Sequence, residues 1–119
     1  MSVRRITKLA KARRVAGRMN GTEAEYEKLF LGRMVHTFEA VTLRLADDCR
    51  YTPDFMVIAE DGVVEFHEVK AGFWRDDARV KLRVAAETYP MFRFKSCFKQ
   101  AKKLGGQWEM QWFGQEDAA

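Results

Sequence analysis

The sequence contains few of the residues that build sulfur-based metal centres or disulfide frameworks. Among its 119 residues are two cysteines and two histidines, and Cys49 and Cys97 lie far apart without metal-ligand spacing. A zinc site built on sulfur is therefore excluded, and both cysteines are interpreted as reduced thiols of an intracellular protein, with one disulfide as the alternative. No apolar run approaches the ~18 residues that span a bilayer, and no apolar stretch follows the N-terminal charges. We therefore expect a cytoplasmic protein without a membrane segment or secretory signal.

Acidic residues are missing from the N-terminal end. Residues 1–18 contain seven of the 21 basic residues, which leaves 14 basic residues against 17 acidic ones in the rest of a chain whose net charge is +4. A cationic block at one end is typical of a segment that binds a polyanion such as nucleic acid, and a solvated tail is the alternative. We therefore divide the chain into a basic N-terminal segment, 1–20, and a domain, 21–119. The residues of this segment expected to contact DNA are Arg4, Arg5, Arg13 and Arg14.

Short apolar patterns separated by turn signals predict the secondary structure of the domain. Thr22, with Glu25 three residues later, has the pattern of a helix N-cap and capping box, so a helix is expected to run to about Met34. Asp61-Gly62 is typical of a tight hairpin turn between two strands. The predicted strands cover residues 38–46, 55–59, 63–70, 92–98 and 108–112, with a turn at 47–50 and a second helix at 76–88. This order predicts a single compact α/β domain with a mixed β-sheet flanked by helices.

Two acidic residues are predicted to meet at one end of the hairpin. Asp54 begins the first strand where Glu68-Val69-Lys70 end the second. Two carboxylates without a neighbouring His or Cys ligand form a hard oxygen site suited to Mg²⁺ or Mn²⁺, and Lys70 can hold an attacking water or a phosphate. Phosphodiester hydrolysis needs such parts. The alternatives are a turn-forming carboxylate at Asp54 and a surface ion pair of Glu68 with Lys70. His67 points to the other face and is interpreted as structural.

The first helix carries one acid on its apolar side. Glu23 falls within the arc that also contains Leu29 and Phe30, and Glu27 sits at the edge of that arc. An inward carboxylate at this place can serve as a third metal ligand beside Asp54. We therefore expect Glu23 to face the metal, and Glu27 remains the alternative helix-borne ligand.

The second helix carries one lysine on its apolar side. Lys81 falls between Val84 and Ala85 on the apolar arc. It is interpreted as a cation that contacts substrate phosphate, with a lysine that extends along its alkyl stem into solvent as the alternative. Arg79 and Arg75 are expected to follow the DNA backbone, and a solvated helix face is their alternative.

These residues resemble a known nuclease motif. Tyr51-Thr52-Pro53-Asp54-Phe55, followed by Glu68-Val69-Lys70, is similar to the PD-(D/E)XK motif. The run Lys70-Ala71-Gly72-Phe73-Trp74, followed by Arg79 and Lys81, resembles the phage endonuclease I type of Holliday-junction resolvase, as does Gly21-Thr22-Glu23, over about residues 21–95. The resemblance implies a PD-(D/E)XK nuclease-like fold and a Mg²⁺-dependent deoxyribonuclease that acts on branched DNA such as Holliday junctions. It also implies a phage-encoded protein in the cytoplasm of the host cell.

The resemblance also assigns roles. It implies that Glu23, Asp54 and Glu68, with the Val69 carbonyl, bind Mg²⁺ or Mn²⁺, and that Lys70 is the catalytic lysine. The family has glycine directly after this lysine, whereas Ala71 stands there in this chain. No counterpart of the strand that the family swaps between subunits is evident, so a homodimer and junction specificity both stay open. The alternative function is that of a non-catalytic DNA-binding protein that retains the nuclease fold.

Overall fold

Residues 17–73 and 76–114 are described by the computed structural model of this chain. The first helix is Gly21–Tyr26 (α1), which continues as a π-helix over Glu27–Leu31, and the second is Asp76–Thr88 (α2), with a 3-10 turn at Lys102–Leu104. The strands are Val35–Phe38 (β1), Leu43–Ala46 (β2), Cys49–Tyr51 (β3), Phe55–Ile58 (β4), Val64–Ala71 (β5), Arg93–Lys99 (β6) and Trp108–Phe113 (β7). Five arginines predicted to contact DNA lie outside the described residues, and they are Arg4, Arg5, Arg13, Arg14 and Arg75.

Five of the strands form one mixed sheet in the order β1-β4-β5-β6-β7. β5 and β6 are parallel, and the other neighbours are antiparallel. A parallel pair needs a crossover connection, and α2 supplies it. The predicted hairpin is confirmed, because Phe55 pairs with His67 and Ile58 with Val64. The chain turns at Gly62 with φ +87°, a conformation that glycine adopts without steric cost. The described chain is thus a compact α/β domain, as predicted.

The two faces of the sheet have separate cores. On the face that we call the α2 face, Phe66 packs with Leu82 of α2 and with Tyr51 of the separate β2–β3 hairpin. On the opposite side, the α1 face, Val69 packs with Tyr26 of α1 in a second cluster of buried residues. Alternation along β5 therefore places Glu68 and Lys70 on the α2 face and His67 on the α1 face, as the strand pattern predicts.

The N-terminus of α1 differs from the prediction. Asn20, rather than Thr22, is the N-cap, and its side chain accepts the N–H of Glu23 at 2.8 Å. The Glu23 carboxylate in return accepts the N–H of Asn20 at 2.9 Å, which completes a capping box. Asparagine caps helices at least as well as threonine, so the helix begins directly after Asn20 rather than after Thr22.

The end of the first helix also differs from the prediction. Helical structure ends at Leu31 rather than at Met34, because the last turn widens into the π-helix and Gly32 follows with φ +37°. The wider turn rotates Leu31 into the core, where it is 1% exposed, and leaves Leu29 57% and Phe30 41% exposed. The expected apolar arc is therefore wrong at Leu29 and Phe30, since it assumes an α-helical period throughout.

The strand predicted over residues 38–46 is two strands in the structure. Glu39, with φ +50°, ends β1, and its N–H donates to the carbonyl of Asp54 at 2.8 Å. β2 then leaves the main sheet and pairs with β3. The predicted turn at 47–50 is shorter than expected, because Asp48 turns the chain with φ +60° and Cys49 already belongs to β3.

Two features concern membrane-spanning helices and the redox state of the cysteines. No helix within the described ranges is long and apolar enough to cross a membrane. Cys49 and Cys97 are both free thiols, so the disulfide alternative does not apply. Burial raises the pKa of the Cys97 thiol to about 12, which makes it unreactive at neutral pH.

Candidate metal and phosphate site

The β4–β5 register brings the two predicted carboxylates together. Asp54 directly precedes β4 and stands next to the Phe55–His67 pair, so the residue across from it on β5 is Glu68. Oδ2 of Asp54 accepts the N–H of Val69 at 2.8 Å, which fixes the carboxylate against the end of β5. Both acids are only 7% exposed. The cross-strand placement puts their carboxyl groups on one face of the sheet.

Burial makes the ionised form of this pair costly. Burial raises the pKa of Asp54 well above its usual value, and the charge of Glu68 raises it further against the effect of the Val69 N–H. Burial also raises the pKa of Glu68, while Lys70 and Tyr51 oppose the shift. Two adjacent buried carboxyl groups need a shared proton or a cation to neutralise them. The pair therefore has the electrostatic character of a cation site.

Two neighbours occupy the oxygens of Glu68. The Tyr51 hydroxyl donates to Oε1 at 2.6 Å, and Nζ of Lys70 lies 3.4 Å from Oε2. The Tyr51 contact was not predicted, although this residue begins the quoted Tyr51–Phe55 segment. The orientation of the Tyr51 side chain depends on the β2–β3 hairpin. The sequence pattern predicts no such hairpin, because it assigns these residues to one long strand and a turn. Tyr51 is thus the site residue that the sequence pattern missed.

The two candidate helix-borne acids have different surroundings. Glu23 is 3% exposed, and its charge raises the pKa of both Asp54 and Glu68, so it lies near the pair. Glu27 instead pairs with His36 across 2.8 Å. Within residues 17–73 and 76–114, no three side chains of His, Cys, Asp or Glu are grouped so that they hold a metal on their own. The close acidic core of the site is therefore the Asp54–Glu68 pair, and Glu23 lies nearby with its Oε1 in the capping box of α1.

The Glu27–His36 pair makes stability depend on pH. Burial opposes the charged ring, but hydrogen bonds to Glu27 and to the Met34 carbonyl raise the pKa of His36 above its usual 6.5. A raised histidine pKa stabilises the fold below the unfolded value, and the contribution is lost as the pH rises through the folded value. We expect His36→Gln to destabilise the protein by about 0.5–1 kcal/mol at pH 6, with the difference vanishing by about pH 9. Urea unfolding at both pH values measures this, and a loss independent of pH would contradict it.

A cleft connects the Glu68 carboxylate with the predicted phosphate-binding lysine. The cleft has a volume of about 380 Å³, and its walls include Glu68, Lys70 and Lys81. Lys81 is exposed rather than inward, and its Nζ lies 3.4 Å from the Arg50 carbonyl. The helix buries Leu82 and its neighbours instead, so the apolar arc is wrong at Lys81. The Lys81 side chain nevertheless lines the cleft beside Glu68 and Lys70, and its contact with phosphate stays a prediction.

Arg79 lies apart from this cleft. It lines a second cleft of about 300 Å³ with Ser96 of β6 and Gln111 of β7. Ser96 pairs with Glu68 in the parallel register, so the second cleft is on the same face of the sheet. The structure thus brings Glu68, Lys70 and Lys81 together and places Arg79 of α2 next to β6 and β7, the strands that follow β5 in the sheet.

A buried chain of polar groups joins α1 to β5 on the α1 face. Nδ1 of His67 lies 2.8 Å from the Tyr26 hydroxyl, and Nε2 lies 2.9 Å from Glu65. Burial opposes ionisation of Glu65, but hydrogen bonds to His67 and Arg93 hold its pKa below the usual value. Burial lowers the pKa of His67 against the effect of Glu65, and the ring is neutral. Nε2 therefore donates to the carboxylate, and Nδ1 accepts from Tyr26. The predicted position of His67 on the face opposite Glu68 is confirmed, and its contacts tie α1 to β5.

Removing the Tyr26 hydroxyl should destabilise the fold. Tyr26→Phe keeps the ring packing but leaves Nδ1 of buried His67 without its donor, which costs about 1–3 kcal/mol. Chemical denaturation measures the change in the free energy of unfolding. The matched variant is His67→Phe, which removes the Nδ1 acceptor. Combined with Tyr26→Phe, it leaves neither the hydroxyl donor nor the acceptor of this hydrogen bond in the protein. Additive effects of the two substitutions in a double-mutant cycle would contradict the assigned contact.

Comparisons with known proteins were made for the whole chain. No protein-family model, no curated protein and no solved structure matches it. Function is therefore inferred from the motif residues and from the geometry around Asp54 and Glu68.

Proposed function

We propose that this protein is a Mg²⁺-dependent DNA endonuclease of the PD-(D/E)XK type that acts on branched DNA. One observation carries the proposal. Asp54 and Glu68, which are distant in the sequence, lie side by side on neighbouring strands, buried and beside Lys70. Burying charges of one sign costs folding free energy, and such clusters are typical of functional sites. Cation binding for phosphodiester hydrolysis is a function that explains this cluster.

The donor set fits a hard divalent cation. Carboxylate and carbonyl oxygens are the ligands that Mg²⁺ and Mn²⁺ prefer, and the raised pKa values of Asp54 and Glu68 indicate a pair that a cation would relieve. Asp54, Glu68 and the Val69 carbonyl would hold the ion, and Glu23 would join them or act through its negative charge. When bound, such an ion polarises a phosphodiester and makes a water molecule a stronger nucleophile.

The remaining chemistry belongs to the lysines. The Lys70 ammonium lies 3.4 Å from Glu68 and its partly exposed side chain lines the cleft, where it can orient the attacking water and offset charge that develops on phosphate oxygens. Lys81 lines the same cleft and adds a second positive charge for the phosphate. The two ammonium groups offset the Glu68 and Asp77 carboxylates on the cleft walls and are available to a phosphodiester bound there.

The basic N-terminal segment joins the fold at the same end of the sheet. The N–H of Gly17 donates to the Glu39 carboxylate at 3.0 Å, and the N–H of Glu39 donates to the Asp54 carbonyl. Arg18, a basic residue of the same segment, directly follows Gly17. This proximity supports a polyanionic substrate at the Asp54 end of the sheet.

Cleavage assays test the proposal. The purified protein is incubated at low salt with four-way junction, nicked and linear DNA, with Mg²⁺, with Mn²⁺ and with EDTA. We expect cleavage that needs the cation, prefers the junction, and disappears in Glu68→Gln but not in Glu60→Gln, which changes an exposed acid at the other end of the hairpin. Absence of cleavage of all three substrates, or full activity of Glu68→Gln, would reject it.

A second candidate is a DNA-binding protein without catalytic activity. It is favoured because the acids already have partners within the protein. Glu68 accepts a hydrogen bond from Tyr51 and contacts Lys70, and Glu23 caps its own helix. In this case DNA binding would be equal in Mn²⁺ and in EDTA. The endonuclease requires that the cation changes binding or cleavage.

A further inference from the structure

The small β2–β3 hairpin delivers a hydroxyl group to the buried end of Glu68. Leu43 of β2 pairs with Tyr51 of β3, and both side chains pack against Phe66 in the core of the α2 face. Tyr51 is 8% exposed, so its ring is fixed by packing, and its hydroxyl donates to Oε1 of Glu68 at 2.6 Å. The hydroxyl therefore has a defined position relative to the carboxylate.

The two oxygens of Glu68 are held in different ways. Oε1 has a short hydrogen bond to a buried, immobile donor, whereas Oε2 has a longer contact of 3.4 Å with the 39% exposed side chain of Lys70. A flexible ammonium at the edge of a cleft can move away, but a packed tyrosine cannot. Oε2 is thus the oxygen that can exchange its partner.

We infer that Tyr51 is a positioning residue that holds Oε1 of Glu68 and thereby directs Oε2 toward the divalent cation. Lys70 then leaves Oε2 and turns to the phosphate in the cleft. The inference rests on the proposed function, because it gives Tyr51 a role in the same cation site. Partners that orient a metal-binding carboxylate typically change metal affinity about 10–100-fold when removed.

The test compares two tyrosine-to-phenylalanine variants. Tyr51→Phe removes the hydrogen bond to Glu68. Tyr89→Phe removes a hydrogen bond of the same length, 2.6 Å, from α2's C-terminal flank to the Arg44 carbonyl of the same hairpin, without touching Glu68. Mn²⁺ binding to wild type and both variants is followed by the electron paramagnetic resonance signal of free Mn²⁺, and thermal unfolding of each protein without metal is recorded alongside.

We expect Tyr51→Phe to raise the Mn²⁺ dissociation constant at least about tenfold, while Tyr89→Phe changes it less than about twofold. A merely structural tyrosine would lower the melting temperature without this selective loss of affinity. Wild-type affinity in Tyr51→Phe overturns the inference and leaves the proposed function standing. Absence of Mn²⁺ binding in wild type overturns both.

A second variant covers the case in which Tyr51→Phe does not fold. The double variant Tyr51→Phe/Glu68→Gln removes the carboxylate charge that the hydroxyl holds. Recovery of folding in the double variant, measured by circular dichroism, supports a hydroxyl that serves Glu68. A double variant that stays unfolded while Glu68→Gln alone folds shows that the hydroxyl is needed for something other than the Glu68 carboxylate, and it overturns the inference.

Discussion

Asp54→Asn is expected to abolish cation-dependent DNA cleavage and, at the same time, to stabilise the cation-free protein. Asparagine can still accept the N–H of Val69, so the local backbone is retained. The negative charge that would hold the cation is lost, and we expect cleavage to fall by at least about 10²–10³-fold. Initial rates on junction DNA measure this loss, with Asp47→Asn, an exposed acid in the β2–β3 turn, as the control.

The gain in stability follows from the raised pKa of Asp54. Burial and the charge of Glu68 make the ionised acid unfavourable in the fold. For an acid with a raised pKa, this cost is absent below the unfolded value near 3.8 and grows as the pH rises toward the folded value. Asp54→Asn should therefore add about 1 kcal/mol or more at pH 7, or about 4 °C in melting temperature, and nothing at pH 3.5. A variant that is less stable than wild type at pH 7 would contradict the assigned electrostatics.

Lys70→Met is expected to separate catalysis from cation binding. Methionine keeps much of the alkyl stem but removes the charge that faces the phosphate, so cleavage should fall at least about 100-fold. Mn²⁺ affinity should be maintained or increased, because the cation no longer competes with the ammonium for Oε2 of Glu68. Calorimetric titration with Mn²⁺ and cleavage rates give the two quantities.

The control for this variant is Lys103→Met, which removes an exposed lysine from the 3-10 turn. It should change neither quantity. Cleavage by Lys70→Met at the wild-type rate would remove Lys70 from the mechanism. Loss of Mn²⁺ binding as complete as in Asp54→Asn would show that Lys70 is needed for cation binding rather than for the cleavage step.

The parts of the fold that the sequence predicts are those with strong local signals. The β4–β5 hairpin is specified by Asp61-Gly62 and by alternating residues on both sides, and its register then follows. α2 has a regular apolar period, and its bounds of Asp76–Thr88 agree with the predicted 76–88. Since Asp54 and Glu68 lie at the ends of this hairpin, their approach could be predicted as well.

The remaining features depend on tertiary contacts that no local pattern contains. The π-helix arises where Leu31 turns into the core. A helical wheel drawn at 100° per residue assumes an α-helix throughout, so it does not show the additional residue of the wider π-turn. The break at Glu39 and the separate β2–β3 hairpin place a positive φ on residues other than glycine, which composition does not signal. The Tyr51–Glu68 hydrogen bond depends on that hairpin, so it too could not be predicted.

Anomalous diffraction from crystals soaked in Mn²⁺ locates the cation without reference to activity. We expect a Mn²⁺ peak between the carboxylates of Asp54 and Glu68, absent from crystals of Asp54→Asn grown in the same way. Millimolar Mn²⁺ that leaves this position empty, or binds only to exposed acids elsewhere, would contradict it.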